Sequence, residues 1–220
     1  MKKRQLGRSD IQISPLVLGT NVFAWTADKQ TSFAILDRFA GGGFEAIDTA
    51  DVYTAWASGN HGGESEAIIG EWMASRGRRH DTIVITKVGS EMGPGLEGLS
   101  AEYIPKAIDA SLRRLRTDYV DVYLSHWPDP SVSYEETLSG YQKLLQAGKV
   151  RAIGASNLDA AQLREALDVA ANQGLPRYGI LQPEYNLYDR GGFEGPLRDL
   201  TMAEEVDVIT YYSLARGFLS

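Results

Sequence analysis

Four side chains of this sequence have the types needed for acid–base chemistry: a carboxylate, a phenol, an amine and an imidazole. Asp48 and Lys87 each end an apolar stretch, Tyr53 follows the first of these stretches, and His126 follows a third one. If the stretches are parallel strands, neighbours lie about 4.8 Å apart and their ends meet at one edge. A buried ion pair is a poor stabiliser, because desolvation can exceed the Coulombic gain. We therefore predict that the Asp48–Lys87 pair alters the titration of a third group.

Tyr53 is the candidate for that third group. A free tyrosine titrates near pH 10, and an opposite charge within about 4–6 Å moves a pKa by roughly 1–3 units. We expect the ammonium of Lys87 to lower the pKa of Tyr53, and Asp48 to hold Lys87 charged. Neutral His126 would orient a substrate oxygen, and general acid catalysis of this kind contributes about 10²–10⁴-fold. Each of the four residues also has a simpler interpretation on its own. Asp48 could cap the loop that follows it, and Lys87 could extend into solvent. Tyr53 could simply pack in its loop, and His126 could be a loop histidine held by backbone.

Three further polar residues follow later apolar stretches and suit a nicotinamide ring. The sequence has no cysteine and only three histidines, so thiol nucleophiles are excluded and a histidine-rich metal centre is disfavoured. The remaining side chains suit a reaction in which one of them protonates an oxygen while a hydride attacks the carbon. The amides of Asn157 and Gln182 can pair with a carboxamide, and Tyr212 offers a stacking face. Strand-end hydrogen bonding and core packing are the alternative interpretation of these three residues.

These side chains can meet only if strands and helices alternate along the chain. The pattern predicts a hairpin over Lys3–Ser14 and then seven strands, at 16–19, 44–49, 83–87, 120–125, 150–155, 180–182 and 208–211. Helices are predicted at 31–40, 64–76, 101–115, 134–147, 159–172 and 196–205, the third of them capped by Ser100. The segment from Gly19 to Trp25 lacks the glycine fingerprint of an open dinucleotide-binding sheet, which favours closure into a barrel.

We therefore expect an α/β fold, a TIM (β/α)8 barrel with an N-terminal β-hairpin that is truncated after strand seven. Residues 1–220 would form a single barrel domain from which the C-terminal helix, strand and helix are missing. Active sites of such barrels lie at the carboxyl ends of the strands. One dispersed pattern thus predicts both the fold and the location of the chemistry.

Composition excludes several classes of partner. The net charge is -7 over 220 residues, so a broad surface for nucleic acid or anionic membrane is not expected. No apolar stretch is long enough to span a membrane, and no apolar segment follows the basic N-terminus as in a secretory signal. We expect a cytoplasmic protein with a small-molecule substrate. The sequence does not decide between a monomer and a homo-oligomer.

The ordered motifs of this chain resemble those of the aldo-keto reductase superfamily over its whole length. The matching stretches are Gly19-Thr20, Ile47-Asp48-Thr49-Ala50 with Tyr53, Gly63-Glu64-Ser65-Glu66, Thr86-Lys87, Ser111 to Leu115 followed by Asp118 to Asp121, Ser125 to Asp129, Gly154 to Asn157, Gln182 to Asn186, and Tyr212 to Gly217. Each stretch alone is weak, and the complete set in this order is highly specific. The resemblance implies a barrel enzyme that reduces aldehydes or ketones, with a catalytic tetrad of Asp48, Tyr53, Lys87 and His126.

The resemblance also assigns the remaining site residues. Cofactor contacts would come from Thr20, Asn21, Asp48, Ser156, Asn157, Gln182, Tyr212, Ser213, Leu214, Arg216, Gly217 and Phe218. The substrate pocket would be shaped by Phe23, Trp25, Trp56 and Trp127, and no metal is implied. NADPH is the usual cofactor of the family and NADH stays open, because the strand-eight region that reads the 2′-phosphate is absent. The alternative is a non-catalytic or weakly catalytic cofactor-binding subunit resembling potassium-channel β-subunits.

Overall fold

A computed structural model describes residues 2–220, so residue 1 of the predicted domain lies outside the described residues. Seven parallel strands form one sheet in the order of the sequence, from β3 to β9. The sheet curls into a half-barrel consistent with a truncated (β/α)8 fold, which confirms the predicted fold class. The strands are β3 Val17–Gly19, β4 Ala46–Asp48, β5 Ile83–Val88, β6 Val120–Ser125, β7 Val150–Ser156, β8 Ile180–Gln182 and β9 Asp207–Val208.

The predicted N-terminal hairpin is confirmed as β1 Arg4–Gln5 and β2 Gln12–Ile13, paired antiparallel. Its apolar side chains pack against the interior face of the sheet, together with residues of β5, β6 and β8. The turn at Gly7 approaches Gly179, which precedes β8, so closely that an added Cβ would lie 3.0 Å from its carbonyl oxygen. The hairpin therefore covers the amino-terminal end of the sheet and leaves the carboxyl-terminal rim open.

Six helices cover the outer face of the sheet: α1 Lys29–Gly41, α2 Glu64–Arg76, α3 Tyr103–Leu115, α4 Tyr134–Gln146, α5 Ala160–Gln173 and α6 Pro196–Ala203. Side chains of Asp28, Ser133 and Asp159 accept backbone hydrogen bonds at the starts of α1, α4 and α5. The start of α3 differs from the prediction by two residues. Ser100 still accepts a hydrogen bond from the Tyr103 amide through its hydroxyl, but a turn intervenes before the helix begins.

Side chains alternate along the strands between two buried layers. Ile85, Val122 and Leu124 face the interior, whereas Val84, Val88 and Tyr123 pack under the helices. The same alternation carries polar residues at the strand ends inward. The last predicted strand, 208–211, is shorter than expected as β9. Backbone bonds from Ile209 to Leu181 and from Tyr211 to Pro183 nevertheless continue its pairing toward the rim.

Within residues 2–220 the sheet has two edges, because β3 pairs only with β4 and β9 pairs only with β8. A cleft of about 640 Å³ is lined by residues beside both edges, among them Leu16, Val17, Met202 and Val208. Among residues 2–220, no helix combines the length and the apolar character needed to cross a membrane.

Candidate active site

Lys87 lies at the centre of a buried polar cluster at the carboxyl-terminal rim. Its side chain is 1% exposed, and Nζ donates to Asp48 Oδ2 at 2.7 Å, to the Thr49 carbonyl at 2.8 Å and to Tyr53 Oη at 2.7 Å. Asp48 pairs in register with Ile85, two residues before Lys87 on the same strand face. The register of β4 and β5 thus brings together the ion pair that the sequence predicted.

The turn after β4 returns Tyr53 to the cluster. Its hydroxyl lies 3.3 Å from Asp48 Oδ2, and the ammonium of Lys87 lies 4.5 Å from its ring centroid. Thr54 has a φ of 71°, a left-handed conformation that threonine rarely adopts. The Tyr53 amide donates to the Ala50 carbonyl at 3.3 Å, and no motif in the sequence revealed this return of the chain.

The electrostatics of the cluster oppose one expectation from the sequence. Burial, followed by the nearby charge of Asp48, raises the pKa of Tyr53 well above its usual value. Burial lowers the pKa of Lys87, although its ion pair with Asp48 acts in the opposite direction. The expected lowering of the Tyr53 pKa is therefore wrong here, since desolvation of a phenolate and its repulsion by a carboxylate prevail. The phenol keeps its proton across the physiological pH range.

His126 follows β6 and faces Tyr53, with ring centroids 5.9 Å apart. Its backbone amide donates to Val88 O at 2.8 Å, and its ring Nδ1 lies 3.1 Å from the hydroxyl of Ser90. Burial, together with the charge of Lys87, lowers the pKa of His126 to about 3. The imidazole is therefore neutral at physiological pH, as the sequence interpretation required of an orienting donor.

Two amide side chains tie later strands to this cluster. Gln182, at the end of β8, donates from Nε2 to Asp48 Oδ1 at 2.8 Å, and both side chains are buried. Asn157, with a φ of 60°, donates from Nδ2 to the His126 carbonyl at 2.9 Å and accepts from Tyr211 Oη at 2.7 Å. Ser156 is buried and donates to the Gln182 carbonyl. The bond between Gln182 and Asp48 was not foreseen from the sequence.

The segment after β9 is exposed at the same rim. Tyr212 is 38% exposed with a φ of 54°, and the guanidinium of Arg216 lies 4.6 Å from its ring centroid. Arg216 also approaches Glu184 at 4.0 Å. Both charged residues line a cleft of about 590 Å³ together with Tyr188, Asp189, Gly192, Ala215 and Phe218. The exposed ring and guanidinium lie where a ligand at the rim can reach them.

A family model described as the aldo/keto reductase family matches residues 15–220. The chain belongs to this family. Protein tas of Escherichia coli is 30% identical over all of this chain and 70% of its own length. A norsolorinic acid reductase of Emericella nidulans is 34% identical over 94% of this chain and 55% of its own length. A probable voltage-gated potassium channel subunit beta of rice is 34% identical over all of this chain and 66% of its own length.

The rim of this aldo/keto reductase is walled by three half-exposed tryptophans. Trp25, Trp56 and Trp127 are 53%, 52% and 52% exposed. Trp56 lies 5.9 Å from Trp25 and 6.3 Å from Tyr53 in edge-to-face geometry, and Trp127 stacks on His126 at 6.0 Å. The rings thus form a continuous aromatic wall around the phenol.

Two residues of the predicted site are buried rather than open to a ligand. Phe23, predicted to shape the substrate pocket, is 1% exposed and packs in the core under the helices. Thr20, predicted to contact cofactor, is fully buried, and its hydroxyl bonds to the Asp48 carbonyl and to Ser65. Asn21 is partly exposed in the turn after β3, whereas Ser213, Leu214, Gly217 and Phe218 are exposed beyond β9. The turn after β3 directs Thr20 toward Ser65 in the first turn of α2 and Phe23 into the core.

Sequence reasoning missed two polar residues near this aldo/keto reductase site. Ser90 contacts His126 from the loop after β5. Asp51 is 2% exposed, and neither of its carboxylate oxygens has a hydrogen-bond partner among residues 2–220. Burial, followed by the charge of Glu66, raises the pKa of Asp51 to about 8. The sequence did offer one indication for Asp51, which is its position between Asp48 and Tyr53. On the sequence alone we assigned Asp51 no role there.

Proposed function

We propose that this chain reduces aldehyde or ketone carbonyls to alcohols, with Tyr53 as the proton donor and NADPH as the preferred reductant. Membership of the aldo/keto reductase family supports an oxidoreductase acting on small carbonyl substrates. The observation that carries the proposal is Lys87 Nζ, held 2.7 Å from both Asp48 Oδ2 and Tyr53 Oη. An ion pair aimed at a phenol suits proton delivery to an oxygen.

Tyr53 would donate its proton to the carbonyl oxygen as the carbonyl carbon is reduced. The donor must be neutral beforehand, and the raised pKa of Tyr53 supports that state. After transfer the phenolate would lie against the ammonium of Lys87, a preorganised donor that stabilises the developing charge. Asp48 would keep Lys87 aimed at Tyr53, and His126 would donate a second hydrogen bond to the carbonyl oxygen. Solvent then restores the proton of Tyr53.

The family generally uses NAD(P)H, and we propose that residues of the rim hold its nicotinamide. When bound, this dinucleotide supplies the hydride. Tyr212 offers a partly exposed ring for stacking, and the carbonyl oxygen of the Gln182 amide is left to accept because its Nε2 donates to Asp48. Ser156 and Asn157 would complete the carboxamide site, and Arg216 would face a phosphate. The further contacts are proposed for Asn21, Ser213, Leu214, Gly217 and Phe218, while buried Thr20 supports the site through Asp48.

The substrate would enter between the tryptophans. Trp25, Trp56 and Trp127 present flat apolar surface beside Tyr53. A carbonyl compound could therefore place its apolar body against the indoles and its oxygen between the phenol and the imidazole. We propose no role in this pocket for Phe23, because it is buried in the core.

Substitution of the phenol tests the proposal. NADPH binding is titrated by fluorescence, and its oxidation is then followed with a panel of small aldehydes and ketones. In Tyr53→Phe we expect turnover to fall by about 10²–10⁴-fold while the affinity for NADPH is retained. Tyr119→Phe is the matched control, because this tyrosine precedes β6 at the opposite end of the sheet. Turnover in Tyr53→Phe that equals wild type would exclude Tyr53 as the donor.

A second candidate function is that of a cofactor-binding regulatory subunit. The 34% identity to the rice potassium-channel subunit favours this alternative. Similarity to the family does not discriminate between the two, because the identity to the rice subunit extends over all of this chain. Tight NADPH binding with negligible turnover across the carbonyl panel would favour the regulatory subunit over the reductase.

A further inference from the structure

The hydroxyl of Ser90 makes the only hydrogen bond to the His126 ring found within residues 2–220. Ser90 Oγ lies 3.1 Å from His126 Nδ1. Both residues are partly buried, and Ser90 Oγ has no other hydrogen-bond partner in the same part of the chain. A loop serine more often bonds to nearby backbone. Here its hydroxyl is directed instead at one nitrogen of a ring that faces Tyr53.

Strand register places these two side chains opposite each other. Val88 of β5 pairs with Ser125 of β6, and the His126 amide then bonds to the Val88 carbonyl. The chain turns at Gly89, whose φ is 114°, a conformation that favours glycine. A Cβ there would lie 2.9 Å from Leu99 Cδ2, so the turn is also closely packed. The position of Ser90 is therefore fixed by two strand ends and a glycine turn rather than by a mobile loop.

A neutral imidazole carries one proton, on either Nδ1 or Nε2, and the partner of one nitrogen decides which. His126 is neutral because burial, together with the ammonium of Lys87, lowers its pKa to about 3. A hydroxyl can donate or accept, so Ser90 alone could stabilise either form. The proposed role of His126 requires the proton to be on Nε2. In the neutral ring this leaves Nδ1 without a proton, so Nδ1 must accept a hydrogen bond.

We propose that Ser90 is a positioning residue that donates to Nδ1 of His126 and so keeps the imidazole proton on Nε2, where it can bond to the substrate oxygen. The effect on turnover rests on the proposed reductase function; the effect on the tautomer does not. Ser90 touches neither substrate nor reacting atoms in this scheme, and it acts only through the ring of His126.

Nitrogen-15 NMR of histidine-labelled protein reads the tautomer directly. The chain has three histidines, and a His126→Gln sample assigns the signal of interest by its loss. We expect wild type to show the proton on Nε2 across the neutral pH range. Ser90→Ala should shift the equilibrium toward a mixture, whereas Ser90→Thr, which keeps the hydroxyl, should retain the wild-type spectrum. Ser139→Ala is the matched control, because its hydroxyl makes an exposed hydrogen bond within α4. A wild-type signal from the Nδ1-protonated form would overturn the proposal.

Kinetics supply the second readout. In Ser90→Ala we expect kcat to fall by about 2–10-fold, as for the loss of one neutral hydrogen bond, with NADPH affinity unchanged. Ser90→Thr should recover most of the lost rate. If the tautomer changes but an active enzyme keeps its full kcat, the positioning role is refuted. If no variant, including wild type, turns over, the reductase function fails, and the NMR result alone still decides whether Ser90 sets the tautomer.

Discussion

At the scale of single residues, the site is held together by one shared carboxylate. Asp48 Oδ2 accepts from Lys87 and lies close to the Tyr53 hydroxyl, while Oδ1 accepts from Gln182. Each oxygen thus has a different partner, one facing the proposed proton donor and the other facing the proposed carboxamide site. Removing a hydrogen bond to a charged group of this kind costs about 1.5–3 kcal/mol.

The Gln182→Met variant tests this link. Methionine keeps the length of the side chain but cannot donate to Asp48, so we expect kcat to fall by about 10–100-fold as well as a weaker affinity for NADPH. A residue that only bound cofactor would change the affinity and leave the pH profile of kcat at saturating NADPH as in wild type. Gln146→Met, in the last turn of α4, is the control.

Asp51 predicts an unusual pH dependence of stability. Its pKa is raised to about 8 in the folded protein, from an ordinary value of 3.8, by burial and then by Glu66. Between these two values the folded state holds a proton that the unfolded state has released. Stability must therefore fall as pH rises through this window, and the loss is complete above the folded pKa.

The Asp51→Asn variant should remove this dependence, because an amide does not ionise. We expect its free energy of unfolding to exceed that of wild type by about 1–3 kcal/mol near pH 9, with a much smaller difference near pH 5. Urea unfolding at the two pH values measures the difference. Asp118→Asn, on the exposed turn before β6, should follow wild type at both. Parallel curves for wild type and Asp51→Asn would contradict the assignment.

At the scale of elements, strands were well predicted where an apolar run ends in a polar residue. The carboxyl ends of β4, β5, β6, β7 and β8 lie within one residue of those expected, because alternation and burial determine where a strand ends. The partner of Ser90 could not be predicted, since it depends on the register of β5 with β6 and on the turn at Gly89. The inward direction of Thr20 and Phe23 could not be predicted either, because it depends on the irregular backbone after β3.

Close approach between helices was equally hidden from the sequence. A Cβ at Gly70 of α2 would lie 2.2 Å from the Arg114 carbonyl oxygen near the end of α3. In Gly70→Ala the two helices must move apart. We expect the free energy of unfolding, measured by thermal denaturation, to fall by about 1–3 kcal/mol. Gly41→Ala at the end of α1 meets nothing within 4 Å and should be neutral or slightly stabilising. Equal stability of the two variants would show that α2 and α3 are less closely packed.

At the scale of the whole molecule, the half-barrel exposes two unpaired sheet edges. Unpaired strand edges with nearby apolar side chains favour pairing with another chain. Leu16 beside β3 and Met202 beside β9 are both exposed on the cleft between these edges. The order of the strands shows where these edges lie.

We therefore predict concentration-dependent association of the 220-residue chain through this cleft. Sedimentation velocity should show a smaller sedimentation coefficient at high concentration for Leu16→Lys and Met202→Lys than for wild type. Leu187→Lys is the control, because this leucine is exposed and does not line the cleft. Association that Leu16→Lys and Met202→Lys leave unchanged would place the contact elsewhere.

The aromatic wall gives the protein an optical property of its own. Three of its four tryptophans lie at the mouth of the barrel, and the fourth, Trp72, is buried under the helices. Half-exposed indoles emit according to the polarity of what surrounds them, so the intrinsic emission of the whole chain is weighted toward a single spot. A compound that binds among these indoles should change the tryptophan fluorescence of the unlabelled protein. Ligands can then be screened without a dye or a coupled assay.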